Sequence, residues 1–153
     1  MKITTRSRYG TRMMVELAAN FHKGPVQVGE IARKENLSVK YLEQLIIPLK
    51  RTGLIKSIRG ARGGHLLARA PTDITVWDIV AALEGEEGVT PCVAYPEWCD
   101  RSKTCPTRDV WSMITKVLKE RLSSITLADL AQKQQQRLED ENYMEDEICI
   151  RNS

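Results

Sequence analysis

Apolar residues recur at helical spacing in the first third of the chain. The repeat over residues 8–21, closed by Gly24 and Pro25, predicts a first helix. Residues 28–35 are typical of a short second helix, and Ser38 is a favourable N-cap for a third helix. The inner face of that third helix is predicted to carry Leu42, Leu45, Ile46 and Leu49.

The pattern changes after Pro48. This proline predicts a kink or an early end of the third helix, because it lacks an amide donor and its ring presses on the carbonyl of Gln44. Residues 54–59 and 65–68 then predict two short strands. The connection between them, residues 60–64, contains three glycines and is typical of a flexible hairpin tip.

Two closely linked helices followed by a β-hairpin are the order of a winged helix-turn-helix. The third helix of such a domain fits the major groove of DNA, which is wide enough for an α-helix. The hairpin, called the wing below, would place Arg59 and Arg62 along the DNA backbone or in a minor groove. This order therefore favours DNA binding over a purely structural hairpin.

Two capping signatures mark later helices. Thr75 with Asp78, and Thr126 with Asp129, are acidic variants of the capping box. Between them a longer helix is predicted to begin at Pro106, a residue suited to the first helical position. Its apolar stripe contains Trp111, Ile114, Leu118, Leu122 and Ile125. DNA sites bound by helix-turn-helix proteins are commonly two-fold repeats, so the stripe predicts a homodimer. The alternative is that the stripe is buried against the same chain.

Charge is divided unevenly along the chain. Residues 1–70 hold 14 Lys/Arg against 4 Asp/Glu, a net charge of +10, and residues 71–153 hold 9 against 16, a net charge of −7. A basic first half is consistent with a polyanionic partner such as double-stranded DNA. The polar, acidic residues 137–153 are predicted to form a disordered tail.

Several classes of protein are disfavoured by the sequence. No apolar run approaches the roughly 20 residues that span a bilayer, and the basic N-terminus lacks the apolar stretch of a signal peptide. A cytoplasmic protein without membrane contact is therefore expected. No Gly-rich phosphate loop follows a strand and no clustered His/Asp/Ser set is present, so an enzyme is not expected.

Three of the four cysteines lie close together in the sequence. Cys92, Cys99 and Cys105 have the spacing C-x6-C-x5-C within residues 85–105, which are predicted to be irregular, and Cys149 lies apart in the acidic tail. The spacing lacks the close pairs of a structural zinc site and suits an iron–sulfur cluster, although reactive or structural thiols remain an alternative. Cys105 precedes a helix N-terminus, which favours its thiolate.

Three segments together resemble a known family. They are SRYGTRMMVELA near the start, YLEQL followed by RGARGG through the third helix and wing, and the three-cysteine loop. Over about residues 1–135 they resemble the IscR-type winged-helix transcription regulators, whose wider family includes NsrR and CymR. The resemblance implies a homodimer, with a [2Fe–2S] cluster held at the positions of Cys92, Cys99 and Cys105.

The chain departs from this family at one implied ligand. The resemblance implies a histidine as fourth cluster ligand at the position of Arg108, and a guanidinium cannot ligate iron. Labile cluster occupancy is therefore predicted. The fourth ligand is open among Glu16, Glu97, Asp100, Asp109, Cys149 and an exogenous thiol.

The third helix supplies the remaining candidate DNA contacts. Glu43 matches a family position implicated in discrimination between DNA sites, and a carboxylate accepts a hydrogen bond from the cytosine amino group. Gln44 is a candidate for pairing with adenine. Ser38, Lys40 and Tyr41 are candidates for contacts with phosphates or sugars.

The sequence thus predicts a mainly α fold with a small β-hairpin wing, in four segments. They are a winged helix-turn-helix domain (1–84), a cysteine-bearing cluster loop (85–105), dimerisation helices (106–136) and the acidic tail (137–153). The expected function is transcription regulation at iron–sulfur biogenesis or related sulfur and iron genes, modulated by the cluster. The alternative is a cluster-free regulator that senses through thiol oxidation, zinc or a partner protein.

Overall fold

The computed structural model describes the backbone of residues 3–86 and 88–151 and the side chains up to Glu141. Within these residues the chain forms seven α-helices and one β-hairpin. In chain order they are α1 (Thr5–Ala19), α2 (Val28–Glu35), α3 (Val39–Arg51), β1 (Ile55–Ile58), β2 (Gly64–Leu67), α4 (Val76–Glu84), α5 (Pro91–Ala94), α6 (Pro106–Ser123) and α7 (Leu127–Arg151). The predicted mainly α fold with a hairpin wing is confirmed.

Helices α2 and α3 form the helix-turn-helix. The chain turns between them at Asn36, whose φ of 53° is left-handed, a conformation that asparagine tolerates better than most residues. Ser38 caps α3 as predicted, since its Oγ accepts a hydrogen bond from the backbone N–H of Tyr41 at 3.2 Å. The short turn therefore fixes α3 against α2.

Pro48 does not end α3, which continues for three further residues to Arg51. The expected early end is wrong because Pro48 loses only its own hydrogen bond, to the Gln44 carbonyl, and the turn after it still closes. The N–H of Thr52 donates to the Pro48 carbonyl at 3.0 Å, and the N–H of Leu54 donates to the Leu49 carbonyl at 2.9 Å. The hydroxyl of Thr52 donates to the same two carbonyls, at 3.1 and 3.2 Å.

The wing is a two-stranded antiparallel sheet whose register pairs Ile55 with Leu67 and Ile58 with Gly64. Its second strand is joined to the α1–α2 connection by two backbone hydrogen bonds between Val26 and His65, at 3.0 and 2.8 Å. A Cβ at Gly64 would lie 2.5 Å from the Val26 carbonyl oxygen, so only glycine permits this approach. The wing is thus held to the α1–α2 connection at the start of β2, close to its turn.

The hydrophobic core lies where α1, α3 and α4 meet the start of α7. Leu127 is fully buried there, and its N–H donates to the carbonyl of Ile74 at 2.8 Å. Both predicted capping signatures form, at Thr75 with Asp78 and at Thr126 with Asp129. The first turn of α7 therefore belongs to the core of the DNA-binding half.

Glu84, the last residue of α4, caps the N-terminus of α1. Its carboxylate accepts hydrogen bonds from the hydroxyls of Thr4 (2.5 Å) and Ser7 (2.6 Å) and from the N–H groups of both residues. Burial by itself raises the pKa of Glu84, but the hydrogen bonds from Ser7 and Thr4 outweigh it and hold the pKa below the usual glutamate value. The ionised carboxylate is the form that the fold stabilises.

We expect Glu84→Gln to flatten the acid limb of the stability curve. Because the pKa is lower in the folded state, Glu84 adds stability above its unfolded-state pKa of 4.5, and this is lost as the pH falls through the folded value. Urea unfolding midpoints measured at pH 7 and then below pH 4.5 test this. If the urea midpoint of the variant falls between the two pH values by as much as that of the wild type, the assignment is contradicted.

The segments from residue 88 onward differ in part from expectation. Residues predicted to be irregular contain the single-turn helix α5 and a 3₁₀ turn at Pro96–Trp98. Helix α6 begins at Pro106 as predicted. The backbone of α7 is helical through Arg151, whereas the acidic composition predicted disorder from residue 137. The helix continues because Gln, Glu, Leu and Arg are strong helix formers. A side-chain hydrogen bond from Gln135 to Glu139, at 3.0 Å, supports it. Residues 152–153 of the predicted tail lie outside the described residues.

Over the residues that the structure describes, no helix is both long enough and apolar enough to cross a membrane.

Candidate nucleic-acid interface and cysteine loop

Helix α3 has a buried face and an exposed polar face. Its four predicted inner residues are all buried: Leu42, Leu45, Ile46 and Leu49. The candidate DNA contacts Lys40, Glu43 and Gln44 are exposed, and Tyr41 is half-buried. The exposed Ser38 accepts from the Tyr41 N–H, which leaves its own O–H available as a donor. The candidate contacts of α3 therefore share one solvent-facing side of the helix-turn-helix.

The wing tip presents both candidate arginines to solvent. Arg59 precedes, and Arg62 lies within, a tight turn in which Gly63 N–H donates to the Gly60 carbonyl at 2.9 Å. A Cβ at Gly63 would lie 2.3 Å from the Ile58 carbonyl oxygen, so the turn needs glycine at that position. Both arginine side chains are exposed at this compact tip.

His65 joins the two strands of the wing to each other and to the α1–α2 connection, a role that sequence reasoning missed. Its Nδ1 lies 3.2 Å from Ser57 Oγ on the opposite strand. Burial lowers the pKa of His65, the positive charge of Lys50 lowers it further, and Glu43 acts in the opposite direction. The neutral imidazole is therefore favoured at pH 7. The strand alternation was a usable signal, since it places residue 65 against the neighbouring strand rather than in a loop.

The three cysteines occupy different elements of the loop formed by residues 88–105. Cys92 lies in α5, Cys99 follows the 3₁₀ turn, and Cys105 is the N-cap residue of α6. All three are partly exposed and none is in a disulfide. Cys92 Sγ lies 3.4 Å from Thr90 Oγ1.

Cys105 has an environment that favours its thiolate. Its Sγ lies 3.1 Å from Thr107 Oγ1. The side-chain hydrogen bond from Thr107, followed by the backbone N–H of Arg108, lowers the pKa of Cys105 below the usual thiol value. The expectation of a helix N-terminus that stabilises this thiolate agrees with these contacts.

The loop does not bring the thiols together with a further ligand. Among the described side chains, no group of three or more His, Cys, Asp or Glu residues converges as a metal site. Arg108 instead ties α6 to α5, because its Nε donates to the carbonyl of Cys92 at 2.9 Å. The residues as placed in one chain therefore do not fit a [2Fe–2S] cluster.

One of the candidate fourth ligands lies away from the cysteine loop. The Glu16 carboxylate is buried on α1, where it accepts from Lys34 Nζ at 2.5 Å and from Gln134 Nε2 at 2.7 Å. It is thus committed to contacts away from the cysteine loop. The side chain of Cys149 lies outside the described residues.

Helix α6 has no buried residue, although the structure describes all of it. Its predicted stripe is only half-buried at Ile114, Leu118 and Leu122. A second apolar set is more exposed, with Met113 at 60% and Val117 at 57%. These residues form one broad apolar side of an 18-residue amphipathic helix, and this incompletely covered side needs a further covering surface.

A helix-turn-helix with an exposed polar recognition face and a basic-tipped hairpin defines the winged-helix class of DNA-binding proteins. The model of the Rrf2 family, described as iron-dependent transcriptional regulators, matches residues 3–133. The chain belongs to the Rrf2 family and is a DNA-binding transcription regulator.

Three relatives illustrate the similarity. The protein Rrf2 of Nitratidesulfovibrio vulgaris is 45% identical over 130 residues, which are 85% of this chain and 87% of that protein. The structure of CymR, the global cysteine regulator of B. subtilis, has a TM-score of 0.72 at 42% identity and covers 87% of this chain and 98% of its own. T. potens IscR has a TM-score of 0.70 at 41% identity, with 87% and 88% covered. The resemblance found in the sequence is therefore confirmed at the level of the family.

Proposed function

We propose that this regulator acts in the cytoplasm as a homodimer that reads a two-fold operator with α3 and the wing. The observation that carries the proposal is the exposed polar face of α3, opposite four buried leucine and isoleucine residues and beside a wing whose second strand is bonded to the α1–α2 connection. The unburied α6 supports a dimer, since two copies of its apolar side can cover each other. A two-fold dimer places two α3 helices one turn of DNA apart, about 34 Å.

The proposed contacts divide by chemistry. Glu43 and Gln44 face the base edges, where a carboxylate selects cytosine and an amide selects adenine. Ser38, Lys40 and Tyr41 contact phosphates or sugars at the start of α3. The wing residues Arg59 and Arg62 contact phosphates or the minor groove.

Each wing arginine makes a measurable contribution to the salt dependence of binding. We expect Arg59→Ala, and separately Arg62→Ala, to flatten the plot of log affinity against log salt concentration by about two units, because each substitution removes one phosphate contact from each copy in the dimer. Operator titration by fluorescence anisotropy at several salt concentrations measures this slope. Lys116→Gln, on the exposed side of α6, is the matched control and keeps the wild-type slope. Wild-type affinity and slope in both wing variants would exclude a wing contact.

We further propose that the cysteine loop senses a signal connected with sulfur or iron metabolism. Support comes from the family description as iron-dependent and from a relative that is a global cysteine regulator. A [2Fe–2S] cluster on Cys92, Cys99 and Cys105 is one chemistry for this sensor. The described contacts favour the cluster-free alternative, because no ligand group converges and Arg108 occupies the position of the implied histidine.

Iron analysis separates the two chemistries. We expect protein purified without oxygen to hold little iron and acid-labile sulfide per chain, and Arg108→His to hold more, because a neutral imidazole ligates iron and a guanidinium does not. The control is Arg108→Gln, which removes the charge without adding a ligand. Stoichiometric iron that survives a chelator in the wild type would establish the cluster. Operator titration with reduced and peroxide-treated protein, repeated with Cys105→Ser, tests the thiol-based alternative.

A further inference from the structure

A strip of four cations lies beside the proposed DNA interface. They line a cavity of about 430 Å³ between α1 and α7, and all four are exposed: Arg8, Arg12, Lys133 and Arg137. Two carboxylates, Glu35 and Glu141, line the same cavity, so the cations exceed the acids by two. This set of four is called the α1–α7 strip below.

One cation of the strip is already neutralised. Glu35 is buried at the end of α2, and Arg12 pairs with its carboxylate. Neither Arg8 nor Arg137 has an ion pair among the described contacts, nor does Lys133. Like charges held around one cavity repel one another at distances below the Debye length of about 8 Å at physiological salt. A polyanion laid across the cavity relieves this repulsion.

The strip is continuous with the start of the recognition helix α3. The Arg8 and Arg12 guanidinium carbons lie 5.3 and 5.8 Å from the ring centroid of Tyr9. The Tyr9 ring contacts the Tyr41 ring edge to face, with centroids 6.0 Å apart. Tyr41 lies in the first turn of α3. The strip therefore begins one aromatic contact away from a residue proposed to touch the DNA backbone.

The α7 half of the strip is held in place by buried contacts. Leu127 anchors the first turn of α7 in the core, and Gln134 donates to the buried Glu16 on α1 at 2.7 Å. Lys133 and Arg137 are four residues apart and share one side of this anchored helix. Their charges are thus presented from a fixed surface rather than from a mobile arm.

We infer that the α1–α7 strip binds DNA phosphates that flank the base pairs contacted by α3. The inference rests on the proposed function and extends its interface onto two helices outside the helix-turn-helix. The guanidinium and ammonium groups of the strip lie outside the face of α3 that meets the base edges. They therefore bind phosphates and do not read the base sequence. The strip therefore adds affinity and length to the footprint but no base specificity.

The test uses the full-length protein and two operator duplexes. One duplex ends at the base pairs contacted by α3, and the other extends beyond them by about 10 base pairs, one helical turn, at each end. The variant carries Arg8→Gln, Lys133→Gln and Arg137→Gln. Arg12 is retained, because its loss would leave the Glu35 carboxylate buried without a cation.

We expect the triple variant to bind the extended duplex on the order of 10- to 100-fold more weakly than the wild type at about 0.1 M salt. Its salt slope should fall by close to 0.9 for each lost phosphate contact. The same fold-change is expected for an extended duplex of scrambled sequence, and no change for the short duplex. Lys116→Gln serves as the control for general loss of positive charge.

Three results overturn the inference. The first is that the triple variant binds the extended duplex as tightly as the wild type does. The second is a loss of affinity for the operator sequence alone. The third is a changed oligomeric state with unchanged DNA affinity, which would make the strip a contact between copies. Thermal unfolding of the variant confirms that it is folded. Failure of the proposed function is distinguishable, because the wild type and Arg59→Ala would then bind every duplex equally.

Discussion

The double substitution Met113→Glu and Val117→Glu is expected to make the protein monomeric and to weaken its binding to a two-fold operator by at least about 100-fold. Both side chains are more than half exposed in the single chain, at 60% and 57%, so the substitution leaves the core intact. In a dimer that buries this side of α6, four carboxylates would lose their hydration, which costs several kcal/mol. Dissociation then removes the second half-site contact.

Sedimentation equilibrium and operator titration measure the two effects together. The control is Lys116→Gln, on the same helix, which is expected to stay dimeric. The monomer should keep weak binding to a single half-site, because α3 and the wing are untouched. A variant that remains a dimer with wild-type operator affinity would show that another surface joins the copies.

The second large effect is expected from Lys34→Met, which leaves the Glu16 carboxylate buried without its cation. The Glu16 side chain is only 3% exposed, whereas that of Lys34 is 52% exposed. Removal of one partner of a fully buried pair costs about 3–5 kcal/mol. Because the lysine end is half in solvent, we expect a loss nearer to about 2–3 kcal/mol in the free energy of unfolding.

Urea unfolding of three variants isolates this contribution. Lys23→Met, at another exposed lysine beside the end of α1, is the control and should change stability by less than about 0.5 kcal/mol. Glu16→Leu combined with Lys34→Met should recover at least half of the loss, since no charge is then left buried. Equal stability of Lys34→Met and the wild type would show that Gln134 alone satisfies Glu16.

The Glu16 contacts also connect the two halves of the molecule. Lys34 lies on α2 of the helix-turn-helix, and Gln134 lies on α7, which follows the cysteine loop and α6 along the chain. Glu84, just before the cysteine loop, holds the N-terminus of α1 in a similar way. The contacts of Glu16 and Glu84 therefore link α1 to the elements that precede and follow the cysteine loop along the chain.

Local features of the candidate site followed from the sequence. The four-residue apolar repeat of α3 fixed its buried face, and the opposite face carries Lys40, Glu43 and Gln44 in solvent as expected. Ser38 caps the helix as predicted, because capping depends on residues within one turn. The glycines at residues 60–64 likewise predicted a hairpin tip between the two strands.

The cysteine loop was less predictable. The number of residues between two cysteines limits the distance between their thiols but does not determine the direction in which each thiol points. The loop contains two short helical turns, and Arg108 binds the Cys92 carbonyl across them. That contact arises from packing of α6 against α5, which no local pattern contains.

The sequence by itself determined the order of the winged helix-turn-helix elements, the faces of α3, both capping boxes and the family, since each depends on residues close in the chain or on a motif. Only the tertiary structure decided that Glu16 is buried, because its partners lie 18 and 118 residues away in sequence. It also brought Arg8 and Arg12 beside the start of α3 and placed Lys133 and Arg137 across the same cavity. Side-chain periodicity acts over one or two helical turns, whereas charge clusters and buried ion pairs form only when distant helices pack.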